Sequence, residues 1–151
     1  MRTVVFAIVG ALGLAACNAN QPPVVGAQRV VAMGKQPAAG TLNPTGNATI
    51  VDLANGDRAT RINLSGLAPN TSYVAHYHKQ GDMTKPPCES GGALIPTSTM
   101  IGKSDASGVL VMRGNVARDD VADATYLNVH TAAADMSTMP ADAGVSCGNL
   151  K

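Results

Sequence analysis

The chain has 151 residues, with eleven basic against ten acidic side chains, and is 45% hydrophobic but only 3% aromatic. Near-neutral charge without a basic tract excludes nucleic acid as an electrostatic partner. The length fits one domain, and with no Trp the core must come mainly from Val, Leu, Ile, Ala and Met.

The first residues read as a leader. Arg2 precedes an apolar, small-residue run, TVVFAIVGALGLAA (3–16), too short for a stable membrane anchor. It ends in Leu14-Ala15-Ala16-Cys17, so residues 1–16 read as a secretory signal with a cysteine directly after the cleavage site. Leu-Ala-Ala-Cys resembles the bacterial lipobox. That resemblance implies that Cys17 becomes the acylated first residue of a lipoprotein, exported to the bacterial cell envelope in the periplasm or on the outer surface. Acyl chains would hold it to a membrane without spanning it. Residues 17–28 read as the lipidated N-terminus and a polar, proline-containing tether. Loss of the signal removes Arg2 and Phe6. Charge then balances, and Tyr73, Tyr77 and Tyr126 are the only aromatics left.

Residues 29–151 read as one β-domain. RVVAMGK (29–35) is the first expected strand, followed by a turn-rich stretch. ATIVDL (48–53) is a strand closed by ANGD, an Asn-Gly hairpin turn. RATRINLSGL (58–67) returns, with Ala59, Ile62 and Leu64 in partial alternation. After the turn APNT comes the strand SYVAHYHK (72–79). Residues 80–98 are irregular and hold Cys88 and three prolines. SDASG is a turn, VLVMRGNV (109–116) a strand, and ARDDVADA a helical turn or loop. TYLNVHT (125–131) is a strand, AAADMSTMPADAG a loop or single helical turn, and VSCGNL (145–150) a short terminal strand. No helical period is sustained. The class expected is all-β, a Greek-key barrel or sandwich of about seven to eight short antiparallel strands.

With Cys17 acylated, Cys88 and Cys147 remain. An oxidising compartment favours one bridge over two free thiols. It would close a loop of about 60 residues, worth about 4 kcal/mol in chain entropy. The histidines fall on expected strands. Residues two apart on a strand share a face, so His76 and His78 point one way and Tyr77 the other. Asn128 and His130 likewise share the face opposite Leu127 and Val129. Imidazole suits copper, zinc, nickel and iron. A His-x-His pair completed by a third His from a distant strand would hold three nitrogens rigidly. The spacing alone also describes solvated surface histidines.

The order of these features resembles the copper/zinc superoxide dismutases. GLAPNTSYVAHYHKQGD, Cys88 in CESGG, TYLNVHTAAAD and the final SCGNL follow the family's sequence of Gly-Leu-x-Pro turn, His-x-His strand, disulfide cysteine, Val-His strand and Cys-Gly pair. The resemblance covers roughly residues 30–149. It implies that His76, His78 and His130 ligate one copper ion and that Cys88 pairs with Cys147. It also sets Asp135, one residue further along, near an aspartate that supports the family's metal ligands.

Departures qualify this. Leu94 stands near the place of the family's bridging histidine, and no histidine remains for a zinc site. The loop there is short, so zinc is not expected. The residues before the second cysteine, AGVS, lack the family's arginine. The likeness is to a copper-only variant. TYLNVHTAA also resembles the chordin-type CHRD domain, which leaves the two cysteines unexplained.

The resemblance implies dismutation of superoxide at a three-histidine copper site. The alternative is a non-catalytic copper carrier or store, in which Met136 and Met139 of DMSTMP offer thioethers to Cu(I). Those methionines also read as gap-fillers in a core without Phe or Trp. A third reading is a structural or adhesive β-module without metal. The partners expected are superoxide or copper ions and, through Cys17, a membrane.

Overall fold

The computed structural model describes residues 21–151. The expected signal segment, the expected acylation site at Cys17 and residues 18–20 of the expected tether lie outside the described residues. Eight strands follow: β1 (Val24–Lys35), β2 (Thr45–Leu53), β3 (Asp57–Ser65), β4 (Ser72–Lys79), β5 (Met100–Lys103), β6 (Leu110–Ala117), β7 (Ala124–Thr131) and β8 (Ser146–Asn149). Every pairing is antiparallel, in the order β5-β4-β7-β8-β1-β2-β3-β6. β1, β2 and β3 form a meander, while β6 returns to β3 and β7 to β4. Those long returns make the Greek key of a nearly closed barrel.

The β2–β3 hairpin turns at Asn55-Gly56, as its sequence predicts. Gly56 takes a φ of 91°, donates its N–H to the Leu53 carbonyl, and leaves the strands in register from Asp52↔Arg58 onward. Two elements depart from the sequence reading. β1 begins at Val24, inside the expected tether, because Val24 and Val25 find partners in Leu53 and Asp52. A register shift then precedes Arg29. β5 was not expected, since MIGK is short and lacks alternation. It exists because β4 offers an edge, pairing Ser72↔Lys103 through Ala75↔Met100.

The ends of the order, β5 and β6, close the barrel by side-chain packing rather than by a ladder. The Met100 side chain lies over Gly114, and Met112 over Gly102, where any Cβ would crowd them. The interior is Ile50, Ile62, Leu64, Tyr73, Ala75, Tyr77, Leu110, Met112, Leu127 and Val129, all buried. Opposite walls meet where the Tyr77 hydroxyl and Thr60 Oγ1 share a 2.6 Å hydrogen bond. Since the odd-numbered residues of β4 and β7 face inward, their even-numbered residues lie on the outer surface of that wall.

Candidate metal centre

Seven of the eight β4 residues are buried, so both faces of this strand are covered. The barrel covers Tyr73, Ala75 and Tyr77. The segments after β4 and β7 cover the other face, leaving His76, His78 and His130 at 1%, 6% and 4% exposure. Register explains how a third histidine joins a pair 52 residues earlier. Val74 pairs with His130, His76 with Asn128 and His78 with Tyr126, so His130 is the diagonal neighbour of His76. The ring centroids are 5.5 to 6.3 Å apart. One nitrogen from each ring falls within 4.8 Å of the others.

The hydrogen bonds fix which nitrogens face one another. His78 Nδ1 lies 2.9 Å from the Gly92 carbonyl, and His130 Nδ1 lies 2.9 Å from the Asp142 carbonyl. A carbonyl only accepts, so each Nδ1 carries the proton and each Nε2 presents a lone pair. Those two Nε2 atoms are 3.4 Å apart. Burial, together with charge repulsion from His130 and His78, pushes His76 down to about 4. Burial lowers His78 and His130 as well, so the rings are neutral near pH 7. Two neutral lone pairs facing at 3.4 Å repel unless a cation lies between them.

His76 adds a third signal. Its Nδ1 is buried and has no hydrogen-bond partner among the described residues. An orphaned buried nitrogen is costly and is relieved by a metal. Two ligands bonded at about 2 Å to one ion stand about 3.4 Å apart, which matches the His78–His130 separation. The donor set therefore fits a metal, with Nε2 from His78 and His130 and Nδ1 from His76. Three imidazoles suit copper or zinc equally.

No family model matches the sequence, and no curated protein matches it. Among solved structures, the Cu/Zn superoxide dismutase from Brucella abortus is similar, with a TM-score of 0.50 at 17% identity, covering 83% of this chain and 100% of that one. The fold is that of a copper/zinc superoxide dismutase. At this identity the likeness speaks for the fold alone.

On that dismutase fold, Cys88 and Cys147 are bonded, tying the loop after β4 to β8. Leu94 does lie beside the site, bridged through its backbone to His78. Two expectations need correction. Asp135 does not support an imidazole: it is hydrogen-bonded to Ser72 Oγ and ion-paired with Lys103 Nζ at 3.1 Å. Its carboxylate follows the first positive charge and hydroxyl it meets on the β4–β5 side. Met136 and Met139 do not fill the core, for they are 44% and 64% exposed.

Asp142 has the supporting role instead. Its carbonyl takes the His130 proton, its carboxylate lies 3.7 Å from the same ring, and its oxygens accept from the Thr131 and Gly144 amides. Gly92 was also missed, because a backbone carbonyl leaves no mark on side-chain identity. Its oxygen accepts from both His78 and the Tyr126 hydroxyl, and the Tyr126 ring stacks on His78 at 4.7 Å.

Proposed function

We propose that the chain is a copper protein of the bacterial envelope that dismutates superoxide at a single copper ion held by His76, His78 and His130, without a zinc neighbour. The observation that carries this reading is the facing pair of Nε2 lone pairs, fixed by Gly92 and Asp142, beside the orphaned His76 Nδ1. The dismutase fold favours copper over the other metals imidazole takes. Copper would supply one-electron exchange in both directions. The chain's own residues hold three nitrogens in fixed tautomers, keep them neutral, and shield the rings from competing protons and water. The Cys88–Cys147 bond supports an oxidising, exported location, as does the lipobox at Cys17.

The test is metal analysis of the untagged protein together with superoxide removal by the copper-loaded form. The expected result is one copper bound per chain and turnover above free-solution background, both lost in His130→Ala. One copper without turnover would overturn catalysis, and the absence of copper binding would overturn both.

A second reading, copper carriage, is favoured by one observation. Met136 and Met139 expose their thioethers in the segment after β7 instead of packing, where they are free to meet Cu(I). If replacing both leaves Cu(I) affinity unchanged, carriage through these thioethers fails.

A further inference from the structure

The wall built from β1, β2, β3 and β6 stands across the barrel from the histidines. On β3 and β6 the outward residues include Arg61 and Arg113, which sit directly opposite each other in the ladder. Like charges so placed destabilise a sheet. Neither guanidinium has an ion-pair partner among the described residues, and Arg61 Nε merely donates to Asn63 Oδ1 at 3.1 Å. Both line an open groove of about 630 Å³ that has no acidic residue in its lining. Asp57 begins β3 nearby, where the Asn55 amide holds its carboxylate.

Apolar side chains accompany the arginines on this wall. Val24 lines the groove, Val30 pairs with Thr49 and Val111 with Asn63. They are 54%, 62% and 46% exposed. Gln21 and Pro22 also line the groove.

We infer that this wall rests on the membrane, Arg61 and Arg113 taking the phosphates of anionic phospholipid headgroups while the exposed valines meet the apolar boundary beneath. The inference rests on the reading of Cys17 as the acylated residue. Cys17 precedes Gln21 by four residues, a reach of at most about 14 Å, so the acyl chains enter the bilayer close to the groove. A basic patch beside a lipid anchor is the usual second hold on a membrane. A second copy is the poorer occupant, because a two-fold axis would set the same arginines against each other. Docked this way, the protein turns its histidine wall to the water.

The test uses the non-acylated mature chain, Cys17→Ser, with vesicles of phosphatidylcholine alone and of phosphatidylcholine mixed with phosphatidylglycerol. The chain is expected to sediment with the mixed vesicles only, and less as salt rises. Each cation at an anionic surface is worth about fivefold, so Arg61→Gln with Arg113→Gln should weaken partitioning about thirty-fold. Lys103→Gln, on another wall, should change it less than twofold. Circular dichroism shows whether the variants fold.

The inference is overturned by failure to sediment with mixed vesicles, by equal partitioning of parent and double variant, or by an equal loss in Lys103→Gln. Displacement by inorganic phosphate at constant ionic strength would mark an isolated anion site instead, and an oligomer broken by the double variant would mark a protein interface. Either result overturns the membrane reading too. The mass of the native N-terminal peptide reports acylation separately. A bare Cys17 removes the anchor reading and leaves the vesicle result to decide the wall.

Discussion

At His130 the ring is held from one side and used from the other. Its Nδ1 proton goes to the Asp142 carbonyl, while the Asp142 carboxylate ties down the Thr131 and Gly144 amides. Asp142→Ala removes those ties without touching a ligand. Metal affinity should fall by roughly ten- to a hundredfold, the usual effect of losing a ligand's support, as a chelator-competition titration would show. The same cluster sets an acid limit for the metal-free protein. In the unfolded chain His76 binds a proton near the ordinary value of 6.5, and in the fold only near 4. Between those values the unfolded state binds more protons, so stability is complete above 6.5 and declines as pH falls toward 4. Urea midpoints of the metal-free protein should be level above pH 7 and fall across that window, with a shallower fall in His76→Gln.

Among the elements, β4 depends most on its neighbours. The segment after it runs so close that a Cβ on Gly92 would collide with the Lys79 carbonyl and the Gly81 amide. Backbone on both sides leaves no rotamer to absorb the clash. Gly92→Ala should therefore displace the carbonyl that His78 and Tyr126 share, lowering both the melting temperature and metal affinity, the latter by at least about tenfold. The seam between β5 and β6 makes a separate demand. Met100 is 3% exposed and lies over Gly114, so Met100→Ala opens a void where no ladder closes the barrel. A loss of about 2–5 kcal/mol is expected in chemical denaturation, with metal affinity little changed because Met100, paired with Ala75, packs on the inner face of the barrel and His76 faces outward.

For the whole molecule, the Cys88–Cys147 bond links stability to the site. It spans a sequence separation of 59 residues, and the Cys88 amide also donates to Asn149 Oδ1. Between them these hold the segment that brings Gly92 to His78. Replacing both cysteines by serine should cost about 4 kcal/mol in the chain-entropy account. It should also weaken metal binding by freeing that segment. Calorimetry and metal titration on the same variant would show both, and a stability loss with unchanged affinity would limit the disulfide to the fold.

The sequence alone determined seven of the eight strands, the Asn-Gly hairpin and the faces of His76, His78, Asn128 and His130. These follow from a period of two and from local turn chemistry, which need no knowledge of partners. Setting Cys17 aside in an oxidising compartment, together with the family resemblance, also paired Cys88 with Cys147, and the two are bonded. Only the tertiary structure decided the rest. Strand β5 and the start of β1 exist because another strand offers them hydrogen bonds, whatever their own weak pattern. Asp142, not Asp135, supports His130 because loop geometry brings a carbonyl to the ring, and a residue's letter says nothing of where its backbone oxygen will lie. The pairing of His130 with Val74, which sets three nitrogens within 4.8 Å, is a register, and register belongs to two strands at once.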